Sequence, residues 1–209
     1  MFMKHIKPLI LESKQVGTIY HFTSLINTYL IVYYNQLHSN REPDEEFIKT
    51  YQKFSKQYGY TYSFTRDKSF DKRVGESQLD TPLTCRIDFD GNKLSTKYRI
   101  NPFDWNGGGD EMEETIFSTS DILPNMNNYI LKLNVCTLES FENEVEVYLG
   151  GEPSMLYKLI QVIKQLNIMS DDDADELEYT PEIENISIVN LYNSIIDFID
   201  NKYITEIRK

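Results

Sequence analysis

A chain of 209 residues with 40% apolar and 13% aromatic side chains is long enough to bury a core and too rich in core formers to stay disordered. Its formal net charge of -12 repels phosphate backbones, whose neutralisation drives non-specific nucleic-acid affinity, so a DNA or RNA substrate is disfavoured. Residues 1–105 carry 15 Lys+Arg against 12 Asp+Glu, a net of +3, and residues 106–209 carry 6 against 21, a net of -15, which leaves the first half able to hold a small anion such as a dinucleotide.

Residues 2–13 suit a short helix, and Val16-Gly17 separates it from a strand over 18–22, where β-branched and aromatic residues concentrate. Ser24 reads as a helix N-cap, followed by a stripe through Leu25, Tyr29, Leu30, Val32, Tyr33 and Leu37. A polar stretch over 39–58 contains a second amphipathic pattern through Phe47, Tyr51 and Phe54, which Gly59 stops. Strands follow over 60–66, 84–89 and 99–103. The polar segment 67–81 is long enough for a functional loop, and Asp90-Gly91 signals a turn. Asn106-Gly107-Gly108-Gly109 leads into Asp110-Glu111-Met112-Glu113-Glu114. Residues 129–135 alternate, with Tyr129, Leu131, Leu133 and Val135 on one face. Residues 154–168 and 188–207 carry apolar residues at helical spacing and predict two helices that pack together. Between them lies the acidic run 171–176, which reads as a solvated linker.

No apolar run approaches the roughly 18 to 20 residues of a membrane span. Residues 1–14 lack the pattern of a secretory signal, so a cytoplasmic location is expected. Cys85 and Cys136 sit in apolar, strand-like contexts and are expected to be buried thiols. No Cys/His spacing suits zinc. The run Asp171-x-Asp173-x-Asp175 resembles a calcium loop, but Glu176 stands where that loop needs glycine, so no metal is expected.

Chemistry concentrates in three places. His21, at the end of the first strand, is followed by Thr23 one strand period away; the same histidine also fits a core hydrogen-bond network. In the second strand Ser63, Thr65 and Asp67 share one face, and Phe64 and Arg66 the other, so a regular strand turns only one set to a site. Arg66 can fork onto phosphate oxygens or pair with Asp67 or Asp71. Glu111 and Glu113 share a face if their segment is extended, with Glu114 opposite. The same acidic run also fits a solvated helix start.

Tyr20-His21-Phe22-Thr23 resembles the opening motif of NAD-dependent ADP-ribosyltransferases. Together with Ser63-Phe64-Thr65-Arg66-Asp67, the Asp90-Gly91-Asn92-Lys93-Leu94 turn, residues 98–103 and the Glu-rich run, it resembles short bacteriophage proteins of that superfamily over about residues 18–135. The resemblance implies an α+β fold: an ADP-ribosyltransferase-like split β-sheet core with flanking helices, over 1–150, and a helical C-terminal extension over 151–209. It implies NAD as a substrate and mono-ADP-ribosylation of a host protein in the host cytoplasm. His21 and Thr23 would contact the adenosine ribose, Ser63 or Thr65 would shape the nicotinamide pocket, and Arg66 would meet the diphosphate. Glu113 is the first choice for the catalytic carboxylate, with Glu111 and Glu114 as alternates. The phage group usually continues its acidic run with arginine, and Thr115 stands in that place. The other reading is a catalytically inactive protein of the same fold that inhibits a basic host factor through its acidic half, by charge complementarity.

Overall fold

A computed structural model describes residues 16–39, 60–70, 82–102, 113–151, 153–168, 187–203 and 205–207. The expectations for 2–13, 40–59, 71–81, 103–112 and 171–176 lie outside these residues. The described elements are β1 (Thr18–Thr23), α1 (Leu25–Tyr34), β2 (Gln36–His38), β3 (Tyr60–Thr65), β4 (Cys85–Asp90), α2 (Gly91–Leu94), β5 (Ile100–Pro102), β6 (Glu113–Ser118), β7 (Ile122–Pro124), a 3-10 turn (Met126–Tyr129), β8 (Ile130–Val135), α3 (Leu138–Gly150), α4 (Pro153–Gln165), α5 (Ile188–Asp200) and β9 (Thr205–Ile207). The protein is a mixed α and β fold. Its strands run in the order β5-β6-β3-β1-β4-β8-β9, with β2-β7 a separate antiparallel pair. The chain divides into two compact units, 1–21 with 36–74 and 88–130, and 22–35 with 75–87 and 131–209.

In the first unit, β3 pairs antiparallel with β1 and with β6, and β6 pairs antiparallel with β5. Tyr62, Phe64, Phe89 and Ile116 are buried there, and the Phe64 and Phe89 rings meet edge to face at 5.7 Å. The expected turn at Asp90-Gly91 is instead a helix start: the Asp90 side chain accepts from the Lys93 N–H, and Gly91 opens α2. Glycine is required there because the Gly91 N–H donates to the Gly17 carbonyl at 2.8 Å, and an added Cβ would lie 2.5 Å from that oxygen.

In the second unit, Ser24 caps α1 as the sequence predicts, its hydroxyl accepting from the Asn27 N–H at 3.0 Å. The helix ends before Leu37. Asn35 adopts φ 57°, a left-handed conformation that asparagine tolerates, and its N–H closes on the Ile31 carbonyl. Leu37 instead belongs to the first unit, in β2 opposite Leu123. Helices α4 and α5 bury the expected stripes, Leu159, Val162 and Ile163 on one and Leu191, Ile195 and Ile199 on the other. Each packs mainly on α1 and α3 rather than on the other. Helix α3 has no counterpart among the predicted elements; Thr137 caps it, and Phe141, Glu144, Val145 and Tyr148 form its buried face. The predicted helix over 188–207 ends at Asp200, and Thr205 and Ile207, both β-branched, enter β9, parallel to β8. Alternation in β8 is also incomplete. Leu131 is half exposed, whereas Asn134 is buried and donates to the Arg86 carbonyl at 3.4 Å.

Cys85 and Cys136 are free and buried, and burial together with the neighbouring Cys136 pushes the Cys85 thiol up. Among the described residues no helix is long and apolar enough to cross a membrane.

Candidate functional site

Three adjacent antiparallel strands, β1, β3 and β6, carry most of the residues singled out in the sequence. Register aligns Tyr20 with Thr65 and Thr65 with Glu113, so these three positions form a row across the strands. The next row aligns Phe64 with Glu114 and Glu114 with Pro102, and the His21 ring lies 5.7 Å from that of Phe64. Successive strand positions belong to opposite faces. Positions 113 and 114 are therefore separated, as are Thr65 and Phe64. The acidic run thus resolves into a strand from Glu113 onward, which settles its extended alternative for the described part; Glu111 lies outside the described residues.

His21 is half-buried and makes a 3.2 Å contact from Nδ1 to the Ser63 carbonyl. A carbonyl only accepts, so Nδ1 carries the hydrogen. Burial in densely packed protein holds the imidazole below its usual pKa, with the Ser63 carbonyl opposing that shift. The resulting neutral ring keeps a lone pair on Nε2, an acceptor for a hydroxyl. The shift also has a thermodynamic consequence. Because the folded pKa is depressed, stability is present above the unfolded value of about 6.5 and is lost as pH falls through the folded value. Thermal melts from pH 7.5 to 5 are expected to show this loss in the wild type and a shallower slope in His21→Gln; equal slopes would place the titration elsewhere.

Ser63 is exposed and sits opposite Thr115, which is fully buried. Thr65 is buried, and its hydroxyl accepts from the Asp67 N–H at 2.9 Å as the chain leaves β3. The Asp67 carboxylate in turn accepts from the Ser69 N–H at 2.9 Å. Arg66, just beyond the strand, places Nε 2.8 Å from Oε1 of Glu114, although the N–H is not aligned with that oxygen. The exposures of the pair are unequal, 34% for the Arg66 side chain and 2% for that of Glu114. Burial raises the Glu114 carboxyl and the Arg66 guanidinium pulls it back down. Of the two partners considered for Arg66 in sequence, neither is the one observed in this ion pair, because strand pairing brings position 114 nearer than local spacing suggests. Thr23 belongs to the second unit, where its buried hydroxyl accepts from the Asn27 side chain at 3.2 Å.

A second buried carboxylate was not legible in the sequence. Glu144, on α3, accepts from the Leu25 and Ile26 N–H groups at 2.9 Å each and from the Thr84 hydroxyl at 2.6 Å. The Tyr148 hydroxyl meets Ser24 Oγ at 2.7 Å beside it. Glu144 thus satisfies the first free N–H groups of α1, where the helix dipole also favours negative charge. This arrangement is closed and fully satisfied, with the geometry of a clasp. Among the described residues no group of three His, Cys, Asp or Glu is placed to hold a metal ion.

Compared with models of protein families, with curated proteins and with solved structures, the chain matches none.

Proposed function

We propose that this protein is an NAD-dependent mono-ADP-ribosyltransferase with an ADP-ribosyltransferase-like split-sheet core, of the bacteriophage kind, acting on a host protein in the host cytoplasm. The observation that carries the reading is the row Tyr20–Thr65–Glu113 across β1, β3 and β6, which aligns the three motif segments although its successive members are 45 and 48 positions apart along the chain. Adjacent strands lie about 4.8 Å apart, so residues from all three segments are neighbours.

NAD is the substrate in this reading, and the available groups suit it. His21 Nε2 accepts from an adenosine-ribose hydroxyl, Ser63 or Thr65 shapes the nicotinamide pocket, and Arg66 supplies positive charge to the diphosphate. Cleavage of the bond between nicotinamide and ribose leaves the electron pair on nicotinamide and develops positive charge on the ribose. His21 and Arg66 go with the row of Phe64 and Glu114, on the other face from Glu113, but Glu113 opens β6 beside Thr65 at the end of β3. A ligand lying over these strand ends therefore reaches a carboxylate at position 113, which stabilises that charge and accepts from the 2'-hydroxyl, as in glycoside hydrolysis. The acceptor's nucleophile then bonds to the ribose carbon and loses its proton.

Calorimetry tests this without knowledge of the acceptor. Saturable NAD binding by the wild type, weakened about tenfold or more in His21→Ala, is expected from the loss of a hydrogen bond and its ring contacts. No binding by a well-folded wild type would remove the transferase reading. One observation favours the inactive, acidic binding protein instead: α3 exposes Glu139, Glu142 and Glu146 along one side. Loss of function on neutralising the acidic run 171–178, with Glu113→Gln harmless, would select it.

A further inference from the structure

We propose that Glu114 is a positioning residue that holds the Arg66 guanidinium to receive the diphosphate of a nucleotide, rather than a carboxylate that meets the ribose. The inference rests on the nucleotide-binding reading above and assigns Glu114 a role within that site.

Glu114 stands opposite Phe64, and Arg66 follows Phe64 by two residues, so the two charged residues are diagonal neighbours within reach of long side chains. Their ion pair has one dry end and one wet end. The Glu114 carboxylate is almost without solvent, and the Arg66 Nε that faces it is buried as well. The exposed third of the Arg66 side chain therefore lies on its other atoms. A guanidinium offers five N–H donors in a rigid plane, and a carboxylate oxygen beside Nε leaves the terminal fork for a second anion. Among the described residues Glu114 is the one carboxylate in an ion pair with Arg66.

A purely structural role explains the pair poorly. Glu114 shares its strand neighbourhood with Tyr62, Phe64 and Ile116, all buried. Placing a carboxylate among such side chains is costly, and apolar replacements of buried ion pairs are often neutral or stabilising. What the carboxylate supplies there, and an apolar residue would not, is a fixed direction for the arginine. Its burial also separates it from a ribose hydroxyl, which leaves position 113 for the reacting end.

The test is a double-mutant cycle read by calorimetry with two probes, ADP and adenosine, on the whole chain, with thermal melts confirming folding. Arg66→Ala and Glu114→Gln are each expected to weaken ADP binding about tenfold and to leave adenosine binding unchanged. Adding Glu114→Gln to Arg66→Ala is expected to have no further effect, because Glu114 acts through the arginine. Arg66→Lys, which keeps the charge against Glu114 but lacks the fork, is expected to fold normally and still lose ADP affinity, so the inference stays testable if Arg66→Ala fails to fold. ADP affinity unchanged in Glu114→Gln, or lost equally for ADP and adenosine, would overturn the positioning role while leaving the nucleotide reading intact. Absence of binding of ADP, adenosine and NAD by the folded wild type would overturn both.

Discussion

Glu144→Ala is expected to lower the unfolding free energy by about 3 kcal/mol or more, the scale of leaving several buried donors without an acceptor. The wild-type carboxylate accepts from the Leu25 and Ile26 N–H groups and the Thr84 hydroxyl, so truncation orphans three donors at one position. Denaturant unfolding would show this as a lower midpoint at constant slope. Glu144→Gln separates charge from shape, since it keeps one acceptor but turns an amide NH2 towards N–H donors. The pH dependence of the wild type relative to Glu144→Gln follows from burial, which raises the folded pKa above the ordinary carboxylate value against the opposing hydrogen bonds. A raised folded pKa means that the advantage of the wild type is full below the unfolded pKa and declines as pH rises through the folded one. A difference between the two proteins that grows with rising pH would show that the three donors outweigh desolvation.

Glu113→Gln is expected to reduce ADP-ribosyl transfer or NAD hydrolysis about 10²- to 10³-fold while leaving NAD affinity within a few fold, because a carboxylate that stabilises developing charge acts mainly in the transition state. Glu114→Gln is expected to act through affinity instead, raising KM about tenfold with kcat little changed. Steady-state rates at varied NAD distinguish the two patterns. The contrast follows from strand geometry: the two glutamates are consecutive in β6, in different cross-strand rows, one with Thr65 and one with Phe64. The reverse result, with kcat falling in Glu114→Gln and intact in Glu113→Gln, would move the catalytic assignment to the buried carboxylate and remove its positioning role.

Two of the three strands that carry the candidate site, β1 and β3, were legible from local chemistry, whereas β6 was not, because its acidic start fits an extended segment and a helix start equally well. β-branched and aromatic residues mark β1 and β3, and the segments before β1 and after β4 are punctuated by Gly17 and Asp90-Gly91. Local reading misjudged Asp90-Gly91 because a turn signal and an N-cap use the same residues, and only the Gly17 carbonyl pressed against Gly91 decides between them. It carried α1 on to Leu37 because hydrophobic spacing continues past Asn35, whose left-handed backbone ends the helix. It missed α3, whose buried face includes Glu144, since an apolar pattern interrupted by a carboxylate does not register as a core stripe.

The amino-acid order alone thus determined the mixed α and β character, the positions of the first four strands of the sheet along the chain, the Ser24 cap and the burial of both cysteines. Each depends on side-chain type and spacing over a few residues. The rows across β1, β3 and β6, the pairing of Arg66 with Glu114 and the capping of α1 by Glu144 depend on partners 42 to 119 residues apart. Such contacts are set by strand register and by which burial leaves every polar group satisfied, and no local pattern encodes a register that a single-residue slip would turn to the other face.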